Sequence, residues 1–166
     1  RNIFLNNCSS CHGYNATGFK GFPNLTNNIW LYGGNPEEIK ETITKGRNGV
    51  MPSLKFILNN EEDVKSVAMY IRSLSMKLEC DNLVLEKGKS IYQKICFICH
   101  GNDASGDKIK GAPSFIEPQW IYGSSLDDII YTIVKGRTGK MPSHESILTE
   151  DQIHILTSYI YSLNNK

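Results

Sequence analysis

Two segments of the chain each contain two cysteines three positions apart, with a histidine directly after the second. They are Cys8, Cys11 and His12 in the first segment and Cys96, Cys99 and His100 in the second. On a helical turn, two thiols at this spacing lie on one face, and the histidine approaches from the same side. Both thiols can then bond the vinyl groups of a haem while the imidazole binds its iron. The motifs therefore predict two covalently attached haem c groups.

Other uses of cysteine fit the two motifs less well. Chance predicts roughly 0.004 such motifs in a chain of this composition, and two occur. Zinc ribbons separate their cysteine pairs by about 15 to 20 residues, whereas these pairs lie a whole domain apart. A thioredoxin-like dithiol needs a βαβ context, and a disulfide leaves the histidines unexplained. The fifth cysteine, Cys80, is expected to be a free thiol.

The haem motifs belong to a longer internal repeat. Segment 8–13 recurs at 96–101, a shift of 88, and segment 45–53 recurs at 135–143, a shift of 90. The Trp-x-Tyr-Gly sequence that lies between them in the first copy is also repeated. Two copies of one domain explain this pattern, and we predict an N-terminal domain over 1–79 and a C-terminal domain over 80–166.

Met51 and Met141 occupy matched positions in the repeated loop Lys-Gly-Arg-x-Gly-x-Met-Pro. A methionine is usually core filler, but a glycine-rich loop that ends at proline is unsuited to helix packing. A thioether is a soft, neutral ligand that raises the reduction potential of a haem. We therefore predict that each domain supplies both axial ligands of its own iron, His12 with Met51 and His100 with Met141.

Further positions shared by the two copies suit contacts with a haem. Pro23 and Pro113 follow the histidines by eleven and thirteen residues, and such loops can offer a backbone carbonyl to the imidazole N–H. Arg47 and Arg137 can pair with haem propionates. Large aromatic side chains of the Trp-x-Tyr-Gly motif can donate to propionates or pack as core. These aromatic residues are Trp30, Tyr32, Trp120 and Tyr122.

Two further histidines have no counterpart in the first copy. Leu54 stands at the position that matches His144, and Lys65 stands at the position that matches His154. Contact with a propionate is open to either histidine, but surface or packing roles are the expectation.

The predicted elements are helices joined by irregular loops, without convincing strand alternation. Asn35 is a predicted N-cap, and the corresponding helix of the second copy runs from about 125 to 135. The last helix of the first copy begins near Asn60, and Thr149 with Gln152 predicts a capping box for its counterpart. The expected fold class is all-α, with two tandem class I cytochrome c-like domains, each wrapped around one haem.

The first copy is expected to lack the start of its first helix. A shift of 88 places the counterpart of Gly88 one position before Arg1, so the natural chain is expected to continue upstream with a glycine. Within the given sequence, no apolar run approaches the roughly 20 residues of a membrane helix. The formal net charge is +1, which gives no reason to expect nucleic-acid binding.

The combination of Cys-x-x-Cys-His-Gly, Trp-x-Tyr-Gly and Gly-Arg-x-Gly-x-Met-Pro, present twice, resembles the dihaem portion of the cytochrome c subunit of cbb3-type oxidases, the CcoP or FixP family. The resemblance implies two packed cytochrome c domains with His/Met ligation at both irons. It also implies an N-terminal membrane helix that holds them on the periplasmic side of the inner membrane. The implied partners are the other oxidase subunits and a small soluble or membrane-bound cytochrome that donates electrons.

Electron transfer is the predicted function, because an iron with two strong ligands leaves no position for a substrate. The chain is not expected to be an enzyme on its own. Its place as an oxidase subunit has two competitors: a free dihaem carrier of the cytochrome c4 type, and a dihaem peroxidase-like enzyme. A membrane anchor or co-purification with an oxidase favours the subunit, and carbon monoxide binding by the reduced protein favours the peroxidase.

Overall fold

The structure is a computed structural model, and it describes residues 1–76 and 80–164. Its helices are α1 (Asn2–Asn7), α2 (Ser9–His12), α3 (Pro36–Lys45), α4 (Glu61–Ser73), α5 (Asn82–Ile91), α6 (Phe97–His100), α7 (Leu126–Lys135) and α8 (Glu150–Ser162). A π-helical segment, Tyr92–Cys96, joins α5 to α6, and two short strands, β1 (Arg47–Met51) and β2 (Arg137–Met141), pair with each other.

Side chains cap the N-termini of the longer helices. The Asn35 side chain accepts a hydrogen bond from the Glu38 N–H at 2.8 Å, and the Glu38 carboxylate accepts one from the Asn35 N–H at 3.1 Å. Thr149 and Gln152 cap α8 in the same reciprocal way, and Asn60 caps α4. These contacts satisfy N–H groups that a helix leaves free at its first turn. The predicted caps are confirmed.

The two strands were not expected from the sequence. Each has five residues with a glycine at the centre, and its side chains alternate between half-buried and exposed. Because the segments are short and carry few apolar residues, they lack the alternating hydrophobic pattern that identifies a strand. The chain is still mainly helical, as predicted.

The helices form two compact units that differ from the predicted domains. Unit 1 consists of Arg1–Asn48 and Gly139–Lys166, and unit 2 consists of Gly49–Thr138. The chain therefore leaves unit 1 within β1 and returns within β2. The predicted boundary between residues 79 and 80 touches segment 77–79, which lies outside the described residues. The difference arises because the last helix of each repeat packs with elements of the other repeat.

In unit 1, α8 packs on α3 and α1. The apolar faces of these helices form one buried cluster. It includes Phe4, Ile39, Ile43, Ile153, Leu156 and Ile160. Because α8 comes from the second repeat and the other two helices come from the first, this core joins residues more than a hundred positions apart.

In unit 2, α4 packs on α5 and α7. The buried cluster includes Val64, Val67, Ala68, Ile71, Tyr92, Ile129 and Ile133. At the crossing of α4 and α5, a Cβ atom added to Gly88 would meet the Ser66 carbonyl oxygen and the Tyr70 Cβ atom. A residue without a side chain is therefore needed for the two helices to approach this closely.

We expect Gly88→Ala to lower the free energy of unfolding by about 1–3 kcal/mol, because the added methyl forces α4 and α5 apart. Helix propensity alone predicts a gain of about 1 kcal/mol for this change. The control is Ser90→Ala on the exposed side of α5, which we expect to stay within about 0.5 kcal/mol of the parent. Guanidinium unfolding measures both variants, and a stabilised Gly88→Ala protein would contradict the packing account.

Candidate haem sites

The first cysteine motif lies on the short helix α2 of unit 1. Cys8 is the N-cap residue of this helix and His12 is its last residue. Both are buried, while Cys11 is half-buried. One helical turn therefore carries the two thiols and the imidazole together.

The second motif follows the π-helical segment of unit 2. Cys96 ends that segment, and α6 carries Cys99 and His100. Cys96 and His100 are buried, and Cys99 is exposed. Sequence spacing alone predicts an uninterrupted α-helix here, but one wider turn is present, a feature that often occurs at functional sites.

Tyr92 is a site residue that sequence reasoning did not single out. Its hydroxyl donates a hydrogen bond to the Gly101 carbonyl oxygen at 2.8 Å, and its ring is fully buried. The bond ties the start of the π-helical segment to the residue directly after His100. The equivalent residue of the first copy is Phe4, which has the ring but no hydroxyl.

Both motif histidines are held by the same kind of hydrogen bond. Nδ1 of His12 lies 3.0 Å from the Pro23 carbonyl oxygen, and Nδ1 of His100 lies 3.0 Å from the Pro113 carbonyl oxygen. An Nδ1–H that donates to a carbonyl fixes the tautomer in which Nε2 carries the free lone pair. Each ring can therefore bind a metal through Nε2.

Burial favours the neutral form of both rings. It lowers the pKa of His12 and of His100 below the ordinary value, against the opposing effect of the bond to the proline carbonyl. A metal-binding imidazole must be neutral. The protein therefore holds both rings in the protonation state that ligation requires.

The thiols of the two motifs are free, and none of them forms a disulfide. Burial, with a smaller contribution from the second thiol of each motif, raises the pKa of Cys8 and of Cys96 to about 11. Each motif therefore keeps its buried cysteine as a neutral thiol, available for a thioether bond. No cluster of three or more His, Cys, Asp or Glu side chains that suits a bare metal ion occurs in 1–76 or 80–164.

The methionines are distributed differently from the prediction. Met141 packs against the core cluster that contains Cys8, whereas Met51 packs against the cluster that contains Cys96. We expected Met51 beside His12 and Met141 beside His100. The cause is the course of the chain: β1 and β2 carry each methionine loop into the unit that holds the other repeat's cysteine motif.

Arg47 and Arg137 are held in the same way in their respective units. Each donates from Nε to a threonine hydroxyl at 2.9 Å, and each guanidinium lies over a tyrosine ring. Arg47 bonds Thr42, and its guanidinium carbon lies 4.9 Å from the centroid of the Tyr32 ring. Arg137 bonds Thr132, and its guanidinium carbon lies 4.4 Å from the centroid of the Tyr122 ring. These tyrosines belong to the Trp-x-Tyr-Gly motif, which therefore positions the arginines.

The tryptophans of that motif pack against the two cores. Trp30 contacts the cluster of unit 1, and Trp120 contacts the cluster of unit 2. In unit 2, Phe115 stacks on His100 with ring centroids 4.4 Å apart and also on Trp120 at 6.2 Å. Leu25 is the matching residue of the first repeat, and it cannot provide the aromatic stack that Phe115 provides in unit 2.

His144 is buried, although a surface role was among those expected for it. It is only 7% exposed, and its Nδ1 has no hydrogen-bond partner among the described residues. Its imidazole also contributes to the lowered pKa of His12. His154, in contrast, is exposed on α8.

The residues brought together in each unit fit a haem c group. Each unit offers two free thiols on one turn, a buried imidazole with an available Nε2, a methionine in the same core cluster and an oriented arginine. In unit 1, His144 adds a buried Nδ1 atom that has no hydrogen-bond partner among the described residues. This donor set matches the chemistry of haem attachment rather than that of a zinc site.

Comparison with known proteins identifies the family. Residues 1–71 and 84–160 match the family described as cytochrome C oxidase, cbb3-type, subunit III. The chain belongs to this family. It is 41% identical over 162 residues to the cbb3-type cytochrome c oxidase subunit CcoP of Rubrivivax gelatinosus, covering 98% of this chain and 53% of that protein.

Other relatives agree with this assignment. The chain is 36% identical over 168 residues to the subunit FixP of Azorhizobium caulinodans, covering 96% of this chain and 57% of that protein. The resemblance inferred from the motifs is thus confirmed. The chain spans little more than half the length of these relatives. Among the helices of the described residues, none is long and apolar enough to cross a membrane.

We expect Phe115→Leu to lower the free energy of unfolding by about 1–2 kcal/mol, because leucine cannot stack on both His100 and Trp120. Phe56→Leu is the matched control, since Phe56 is 92% exposed and should change stability by less than about 0.5 kcal/mol. Denaturant unfolding measures both. Equal effects of the two substitutions would show that the stack does not support the site.

Proposed function

We propose that this chain transfers electrons through two covalently attached haem c groups as part of a cbb3-type oxidase. The observation that carries the proposal is the repeated grouping of two free thiols, a buried imidazole and a methionine. It occurs once in each unit. Family membership supports the same function, because the matching family is that of the cytochrome-bearing third subunit of this oxidase class.

The thiols and imidazoles supply attachment and the first axial ligand. Cys8 with Cys11, and Cys96 with Cys99, form the thioether bonds, and His12 and His100 bind iron through Nε2. When bound, haem c supplies an iron that alternates between the ferrous and ferric states. The carbonyls of the two proline loops fix the imidazole planes and increase the electron density on the ligating nitrogens.

Met51 and Met141 supply the second axial ligands. A thioether carries no charge and favours ferrous iron, which raises the reduction potential. A haem held by a histidine and a methionine would offer a substrate no open site on its metal. The chain then exchanges electrons and is not an enzyme on its own.

Arg47 and Arg137 balance the charge of the propionates. Each guanidinium is held by a threonine hydroxyl and a tyrosine ring, so little further ordering is needed for it to meet a carboxylate. Arg47 also lies 3.6 Å from the Glu41 carboxylate, which weakens its positive field. Arg137 is therefore the stronger of the two counter-charges.

The comparisons also support the place of the chain in respiration. The relatives are named as CcoP or FixP subunits of cbb3-type cytochrome c oxidases. In this proposal the chain receives electrons from a small soluble or membrane-bound cytochrome and passes them to the catalytic subunit. It works at the periplasmic side of the inner membrane, where an N-terminal helix of the whole protein anchors it.

Haem counting tests the attachment sites. We expect two haems per chain by mass and by the pyridine haemochrome spectrum, and one haem in the Cys8→Ala, Cys11→Ala double variant, because its first motif has no thiols. Cys80→Ala is the control and should keep both haems, since Cys80 lies outside the motifs. The assignment fails if the double variant still carries two haems or the control loses one.

Redox titration tests the role of Arg137. We expect Arg137→Gln to lower the midpoint potential of one haem, because loss of a nearby positive charge disfavours the added electron. The control is Lys89→Gln, which removes an exposed charge from α5 and should leave both potentials unchanged, since solvent screens exposed charges. Identical titration curves for Arg137→Gln and the parent would rule out this contribution.

A further inference from the structure

The methionine loop of each repeat is bound to a helix of the other repeat. In unit 1, the Ser143 hydroxyl donates to the Thr44 carbonyl oxygen at 2.6 Å, and the His144 N–H donates to the Ile43 carbonyl oxygen at 3.1 Å. Both acceptors lie in the last turn of α3, where helix carbonyls lack partners within the helix. The loop that carries Met141 is therefore tied to the first repeat.

Unit 2 contains the same contacts with the repeats exchanged. The Ser53 hydroxyl donates to the Val134 carbonyl oxygen at 2.5 Å, and the Leu54 N–H donates to the Ile133 carbonyl oxygen at 3.0 Å. These acceptors lie in the last turn of α7. The loop that carries Met51 is thus tied to the second repeat by the equivalent pair of bonds.

The glycines that end α3 and α7 make room for these loops. Gly46 has φ = +71°, and a Cβ atom there would meet the carbonyl oxygen of Met141. Gly136 has φ = +72°, and a Cβ atom there would meet the carbonyl oxygen of Met51. Any other residue would be strained by the backbone angle and would also displace the loop. The same close approach recurs in both units, so the exchange is built into the repeated sequence.

His144 and Met141 bring the second repeat to the core cluster that contains Cys8. His144 follows Met141 by three residues, it is buried, and its N–H is bound to Ile43 of α3, a residue of the cluster that contains Cys8. Met141 also belongs to the cluster that contains Cys8. The hydrogen bond of His144 and the packing of Met141 therefore both bring this loop to the core of the unit that holds the motif of His12.

We propose that the methionine of the other repeat is the second protein ligand of each haem iron, with His12 and Met141 at one iron and His100 and Met51 at the other. This inference rests on the proposed function, since it assigns the ligands of those haems. Each repeat then supplies half of both sites: attachment and histidine for one haem, methionine for the other. A single repeat cannot provide both axial ligands to its own haem in this arrangement.

The test uses the full chain with only the second haem attached, in the Cys8→Ala, Cys11→Ala background. Met51→Leu should abolish the methionine-to-ferric-iron charge-transfer band and let the reduced iron bind carbon monoxide. Met141→Leu is the matched control and should leave the band and the carbon monoxide response as in the parent. The reciprocal Cys96→Ala, Cys99→Ala background should reverse the two results.

The outcomes separate this inference from the function on which it rests. If Met141→Leu removes the band of the second haem and Met51→Leu does not, the crossed assignment is overturned while His/Met electron transfer stands. If neither substitution affects the band, or if no band exists, the methionines are not ligands and both proposals fail.

A second measurement avoids haem deletion and any folding defect it causes. The unaltered two-haem chain is reduced to the diamagnetic ferrous state and labelled with ¹³C at the methionine methyl groups. Assignment uses the single Met51→Leu and Met141→Leu variants. The methyl group of Met141 should show nuclear Overhauser effects to the haem that also contacts the His12 ring. Effects to the haem bound by His100 would contradict the crossed arrangement.

Discussion

The contact between each methionine loop and the end of a helix is the constraint on which both sites depend. The last carbonyls of α3 and α7 need donors from outside the helix, and a serine hydroxyl and the next backbone N–H provide them. The adjoining glycines allow the loop backbone to come close. These contacts restrict the positions of Met51 and Met141, because each methionine lies two residues before the bonded serine.

Burial of the histidines gives these sites their chemical character. A buried imidazole with its Nδ1–H bound to a carbonyl is neutral and presents Nε2 in a fixed direction. The two units differ around this common arrangement. Unit 2 adds the Phe115 stack on His100, and unit 1 adds the buried His144. Such differences in packing and polarity are the means by which a protein gives two similar haems different potentials.

The sequence predicts the local features well because they depend on neighbouring residues. The caps at Asn35 and Thr149 and the start of α4 next to Asn60 are confirmed, and the motifs identified the family. The unit boundaries depend on packing between distant segments, which the sequence does not reveal. The loops around Met51 and Met141 are nearly identical, so the sequence is equally compatible with either pairing of methionine and histidine. The burial of His144 and the π-helical turn before Cys96 depend on the same long-range packing.

A crystal structure of the oxidised two-haem protein tests the central claim most directly. We expect continuous density from the sulfur of Met141 to the iron that His12 binds, and from the sulfur of Met51 to the iron that His100 binds. Density that joins Met51 to the iron of His12 would contradict it.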